Sequence, residues 1–393
     1  MSSMSSRQRM LAAINGQTPD HIPCSFMSFT ALRKRHADNL YELAQAELGM
    51  GLDSFLFVPS LSRQQRPDHP DLRGLPVRFN PQVKINEQRS PGSGLYDNLH
   101  KEYRTPAGSL TTSVRISEDW PHGNHIPFID DYQVPRATKP LVTGRADLEP
   151  LRYLLAAPTK QDIDLYHTEI QTAKIFTIEH GILLVGGWGV GMDMANWLCG
   201  IQNLMFLTMD DEEFVVDLLE IIHQWNMERM RVVLAAGLDL YIRRAWYEGC
   251  DFVTTSFYKR VILPRLKQEV ALAHEYNAKF GYICTSGILP VLDHFLEAGF
   301  DVLIGVDPEL GTHTNMAEIK RRAGEQMSIW GGVSGAVTVE LGSEEQIRAA
   351  TRQAIDACGP NGFILSPVDN ITIDVPLTWQ NIQIFIDEWQ HSH

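Results

Sequence analysis

The 393-residue sequence predicts a (β/α)8 barrel of the TIM type with an inserted cap region. Three observations carry this. Eight short apolar segments recur along the chain, stretches of helical period separate most of them, and one stretch rich in proline and glycine breaks the alternation. The segments are Ile22–Met27, Ser54–Val58, Leu183–Gly187, Leu240–Ile242, Phe280–Cys284, Val302–Val306, Ser328–Trp330 and Gly362–Leu365. Strand and helix in alternation mark a parallel sheet with helices outside, and eight such units close into a barrel. A barrel of this kind gathers its chemistry at the C-terminal ends of its strands.

Taken in order, a first helix over about Ser6–Asn15 carries Met10, Leu11 and Ile14 on one face and stops at Gly16. A second is expected from Ala31 to Leu48, before Gly49. Residues 61–150 fit no barrel repeat. They hold Pro67, Pro70, Pro76, Pro81 and Pro91, a hairpin signal in Leu99–Arg104 and Leu110–Ile116, and a loop with Trp120, His122, His125 and Phe128. An insertion of this size after a barrel strand reads as a lid or substrate wall. A helix runs from about Asp162 to Thr177. Asp210 and Glu213 form a capping pattern ahead of a long helix striped by Phe214, Leu218, Ile222 and Trp225. Leu289, Leu292 and Leu296 stripe a helix ending at Gly299, Ser343 with Gln346 caps the next, and Asp374 with Pro376 starts the last. One domain, 1–393, with the 61–150 cap inserted, is the expected organisation.

Composition removes several classes of function. A net charge of −14 without a basic cluster speaks against a nucleic-acid partner. No apolar run reaches the roughly 18 residues of a spanning helix, so no membrane partner is expected. Five scattered cysteines with no CxxC pair read as thiols in a reducing compartment. The first nine residues lack the apolar core of a signal peptide. The expected location is the cytoplasm.

The strand ends supply the candidate residues: Met27, Ser28, Pro59, Ser60, Trp188, Arg243, Arg244, Tyr247, Glu248, Tyr282, Cys284, Ser286, Asp307, Ser334, Asp369 and Asn370. Alternation puts Tyr282 and Cys284 on one face, and Arg244, Trp246 and Glu248 on one face if that strand stays extended. Cys284 reads as a zinc ligand or nucleophile, or as a small buried hydrophobe. Glu248 reads as a metal ligand or a general acid/base, or as the partner of Arg243 or Arg244. Asp307 binds substrate or caps a turn; Asp369 and Asn370 orient a ligand or close an Asx turn. His313, His122 and His125 are weaker metal or proton-transfer candidates. Gly186–Gly191 is the nearest approach to a phosphate loop, but it fits neither nucleotide fingerprint.

Five segments in order resemble the uroporphyrinogen decarboxylase superfamily over essentially the whole chain. They are RQRMLAAINGQTPDHIP at 7–23, GYICTSG at 281–287, DVLIGVDPE at 301–309, MSIWGGVSG at 327–335 and GFILSPVDNI at 362–371. The resemblance implies the barrel and two activities: decarboxylation of porphyrinogen acetates, or methyl transfer to or from a corrinoid protein or a thiol. Decarboxylases of the superfamily hold the substrate carboxylates with an N-terminal RQAGR-like motif. Here Cys24–Phe29 stands in its place, with Arg33 and Arg35 further along. Its zinc methyltransferases carry His-x-Cys at the fifth strand and a further cysteine at the last. This chain has Tyr282 and Cys284 at the first position and Pro367-Val368-Asp369 at the second.

The resemblance therefore points first to a methyltransferase that demethylates a small O-methylated substrate and passes the methyl group to a corrinoid carried by a partner protein. In that reading Glu248, Tyr247, Tyr282 and Asp307 supply acid assistance. Met27, Trp188, Arg244, Trp246, Ser286, Asp369 and Asn370 line the substrate, and Cys284 with Glu248 is the place for zinc, if zinc is used. The alternatives are a decarboxylase acting on a porphyrinogen or another acidic substrate, and a non-catalytic barrel that holds a tetrapyrrole or corrinoid. Oligomeric state stays open, a homodimer being common in the superfamily.

Overall fold

The computed structural model describes residues 4–58, 79–92 and 94–392. Pro59, Ser60, Pro67, Pro70 and Pro76 lie outside the described residues. The chain divides into two compact units, one of Met1–Val58, Ile170–Gly186 and Gly237–His393, the other of Pro59–Glu169 and Gly187–Ala236.

The first unit is the barrel. Its strands are β1 (Phe55–Phe57), β2 (Leu183–Gly186), β3 (Leu240–Arg244), β4 (Lys279–Ile283), β5 (Val302–Val306), β6 (Ser328–Ser334) and β7 (Phe363–Val368). They lie in chain order and every neighbouring pair is parallel. The expected first strand is reduced to a single parallel bridge between Cys24 and Leu365. Pro23 has no N–H to give, yet its carbonyl accepts from Leu365 N while Ser25 N donates to Leu365 O. On the other side Asp53 N donates to Cys24 O at 2.7 Å. The segment around Cys24 thus takes the eighth place and closes the ring between β7 and β1.

Strands β3, β5, β6 and β7 are buried at every residue, because both faces of a barrel strand are covered. Helices of the same unit follow the strands. Glu344–Cys358 begins at Ser343 with a complete capping box through Gln346, and Leu292–Ala298 ends on Gly299 at φ +77°, both as the sequence predicts. The single helix expected over Ala31–Leu48 is instead two, Thr30–Arg35 and Leu40–Gly49. Ala37 and Asp38 take left-handed conformations between them, and Asn39 caps the second.

Glu47 of that second helix is buried, and the Ser54 hydroxyl donates to it at 2.5 Å. Burial pushes its carboxyl up to about 8, the Ser54 bond opposing the shift. Between the ordinary value of 4.5 and about 8, the folded state binds more protons here than the unfolded chain does. Stability contributed at this position is therefore present at low pH and lost as pH rises through that window. Glu47→Gln is expected to flatten the decline and to stabilise the protein at pH 9, by urea denaturation across pH 5–9. An unchanged slope would exclude Glu47 as its source.

In the second unit the hairpin appears where the sequence places it, as Asn98–Thr105 against Gly108–Arg115. Lys84–Ser90 and Ala137–Lys139 extend it to a four-stranded antiparallel sheet. Leu99, Val114, Trp120 and Ile126 form a core under it. His125 bonds Glu87 at 3.0 Å, and Lys101, buried, donates to Ile126 O at 2.7 Å. The unit also holds the helices Gly191–Cys199, Ile201–Asp210 and Glu212–Ala235. The cap of the last is Asp211, whose side chain accepts from Phe214 N, and not the expected Asp210. Among the described residues no helix is long and apolar enough to cross a membrane.

Candidate active site

Two faces of the barrel wall have to be told apart first. A Cβ on Gly281 of β4 would come within 2.8 Å of Ile304 Cδ1 and 3.4 Å of Ile242 Cγ1. These residues share the face toward the barrel axis. Arg243 and Tyr282, paired in register on β3 and β4, point the other way. Arg243 Nη1 donates to Glu269 of the helix Leu263–Glu275 at 2.8 Å. Tyr282 packs on Phe295 of the helix Leu292–Ala298 and on Phe300, with ring centroids 5.2 and 5.0 Å away.

Tyr282 and Cys284 do lie on one face, but that face is toward the helices and not the axis. The expected common face of Arg244, Trp246 and Glu248 is not formed. The chain turns after β3, with Glu248 N donating to Ala245 O at 3.1 Å, and this carries Glu248 round to the helix side. There Arg243 Nη2 donates to Glu248 Oε1 at 2.5 Å, and the Tyr282 hydroxyl donates to Glu248 Oε2. Tyr258 completes the chain by donating to the Tyr282 hydroxyl at 3.2 Å.

Every member of this network is at most 3% exposed, so its charges are shielded from water. Burial works against the Arg243 charge, but Glu248 and Glu269 outweigh it and hold the guanidinium protonated well above its ordinary range. Burial, reinforced by Glu248, pushes the Tyr258 and Tyr282 phenols well above theirs. An uncharged phenol that donates to a carboxylate bound to a guanidinium is a clamp. It holds the Ala245–Glu248 turn against the helices. Glu269 interrupts the buried apolar run of Leu266, Val270 and Ala273, which marks it in the sequence as Arg243's other partner beside the expected Glu248.

The axis side of the strand ends is different in kind. Arg244, buried, shares the face of Ile242 by alternation, and its Cζ lies 3.9 Å over the Trp246 indole. Trp246 is half-buried, and its Nε1 is buried with no hydrogen-bond partner among the described residues. Tyr247 follows in the same turn, half-buried and edge-on to Phe252 at 5.0 Å. Met27 N donates to Ser366 Oγ at 2.9 Å, and Met27 Sδ lies 3.4 Å from where a Cβ on Gly305 would stand.

Other candidates are spent on the fold. Asp307 Oδ1 accepts from Glu309 N and Leu310 N at 2.8 and 3.0 Å, which makes it the cap of its own turn. Asn370 accepts from Thr30 N and donates to Thr30 Oγ1, so its carboxamide ties the start of Thr30–Arg35 to the end of β7. Asp369 is exposed at φ +68°, and His313 is exposed at φ +49°. Ser286 gives its carbonyl to the Cys284 thiol at 3.3 Å. That carbonyl also lies 2.1 Å from where a Cβ on Gly249 would be, so only glycine lets the two loops meet. Trp188 belongs to the second unit, half-buried in the glycine-rich loop ahead of Gly191–Cys199.

The described residues do not assemble a zinc site around Cys284 and Glu248. Among the described residues no three His, Cys, Asp or Glu side chains come together as a metal site. Glu248 is clamped between Arg243 and Tyr282, and the Cys284 thiol is turned to a backbone carbonyl.

The sequence profile described as uroporphyrinogen decarboxylase (URO-D) matches residues 121–391. The chain belongs to the uroporphyrinogen decarboxylase family. No curated protein sequence matches it. Among solved structures, a methyltransferase from Methanosarcina mazei superposes with a TM-score of 0.61 over 99% of each chain, at 15% identity. That likeness is one of fold. A B12-independent methionine synthase from Shewanella sp. W3-18-1 overlaps 56% of this chain and 64% of its own, with a TM-score of 0.36 and 13% identity. The second overlap is too loose to define a common fold. Members of the uroporphyrinogen decarboxylase family are enzymes.

Proposed function

We propose that the protein removes the methyl group from a small O-methylated substrate and passes it to a corrinoid carried by a separate protein. The commitment of Arg243 carries this reading. A porphyrinogen bears many carboxylates and needs several cations, bidentate where possible, to hold it. Arg243 is neutralised by Glu248 and Glu269 on the helix side. Arg33 and Arg35, nearest to the family's arginine motif, pair with Asp38 and Asp374. Arg244 stacked on Trp246 suits a small flat substrate better than a polyanionic macrocycle.

The corrinoid partner supplies the nucleophile that accepts the methyl group. The residues of this chain do the rest. Arg244 and Trp246 hold the substrate, and the O–CH3 bond breaks with its electron pair left on oxygen. Tyr247 gives that oxygen its phenolic proton, so that the product leaves as the alcohol or phenol. The test incubates the protein with reduced cobalamin and a panel of methyl ethers, following cobalamin methylation by absorbance and the demethylated product by chromatography. Equal amounts of both are the expected result. Carbon dioxide released from uroporphyrinogen without any acceptor would replace this reading with decarboxylation, and tight tetrapyrrole binding without turnover would replace it with a carrier.

A further inference from the structure

The helix Ile201–Asp210 of the second unit is apolar around most of its circumference, with one isoleucine, two leucines, two methionines and a phenylalanine in ten residues. A helix of that composition is ordinarily buried. Here Leu204 alone is buried, although the helix packs on Gly191–Cys199 and Glu212–Ala235. Met205, Phe206 and Met209 are 41%, 61% and 77% exposed. Gln202, also exposed, stands three and four residues before the first two, so all four side chains share one face. A stripe of large apolar side chains left in water marks an interaction surface.

The charges at the two ends of the stripe select what covers it. A Cβ on Gly200 would stand 3.9 Å from Pro140 Cβ, so the exposed Lys139 lies beside the N-terminal end. The Lys139 ammonium donates to the Thr111 hydroxyl, a neutral partner. The exposed Asp210 closes the other end, about 15 Å further along the axis. A cation at one end and a carboxylate at the other make the stripe complementary to itself under a two-fold rotation. Turned antiparallel, the same helix of another copy sets its Asp210 against Lys139 and its Lys139 against Asp210. Phe206 then meets Phe206 near the two-fold axis, and Gln202 meets Met209. We infer that the protein pairs with a second copy of itself through the Ile201–Asp210 face. An anionic membrane surface fits less well, because Asp210, Asp211, Glu212 and Glu213 follow one another at the end of the stripe. A contact of one helix against one helix is small for a protein interface, so the dimer is a reversible one.

The test reads association and needs no substrate, so its outcome is independent of the methyl-transfer reading. Sedimentation velocity is run on the full chain at about 1–100 μM, where a micromolar Kd is resolved. The proteins are wild type, Phe206→Glu, Lys139→Asp, Asp210→Lys and the double reversal Lys139→Asp/Asp210→Lys. Melting temperatures at the lowest concentration are expected to match wild type, because all three side chains are exposed. Wild type is expected to be a dimer at the upper end of the range. Phe206→Glu is expected to stay a monomer throughout, since two like charges would meet at the axis. Each single reversal sets like charges together at both ends and weakens the dimer about tenfold, and the double reversal restores it. A monomeric wild type, a dimer indifferent to Phe206→Glu, or a double reversal no tighter than the single ones would each overturn the inference. A monomeric wild type that floats with phosphatidylcholine vesicles, where Phe206→Glu does not, would make the face a membrane surface instead.

Discussion

Arg243→Leu is expected to lose about 3–5 kcal/mol of folding stability, because removing one partner of a buried ion network leaves the other charges uncompensated. Glu248 and Glu269 are at most 2% exposed and both bond to this one guanidinium. Without it, two carboxylates of like charge stay buried with no cation between them. Urea denaturation measures the loss. Adding Glu248→Gln and Glu269→Gln to the leucine variant is expected to recover most of the loss. A loss below about 1 kcal/mol would show that the network does not hold the turn.

Tyr247→Phe is expected to lower kcat by about 10²–10⁴-fold, the usual contribution of a positioned general acid. The ring stays edge-on to Phe252, so the melting temperature is expected to hold. The size of the loss must follow the basicity of the departing oxygen. An alkyl methyl ether, whose alkoxide is a poor leaving group, suffers most, and an aryl ether with electron-withdrawing substituents suffers least. Equal losses across that series would remove Tyr247 as the proton donor and leave it a wall residue.

The barrel was legible because its signal is redundant: seven of the eight apolar segments became strands within a few residues of their expected bounds. The first did not, since Pro23 has no N–H and only a single bridge survives beside it. The orientation of the site was harder to read. Alternation correctly paired Tyr282 with Cys284, but a barrel strand is buried on both faces, so no contrast of polar against apolar tells axis from helices. The turn at Ala245–Glu248 has no proline and no glycine before Gly249 to announce it, and it moved Glu248 to the opposite side.

The ring closure around Cys24 has a consequence for synthesis on the ribosome. The partner of Cys24 in the bridge, Leu365, is translated 341 residues later, so a nascent chain holds an open wall with two raw edges until that strand is made. The same late strand brings Ser366 to Met27 and is followed at once by Asn370, which meets Thr30. The rim on that side is therefore assembled last, when the final strand leaves the exit tunnel. Until then the chain presents an unfinished sheet that a chaperone can hold, and catalytic competence comes with the seam that seals it.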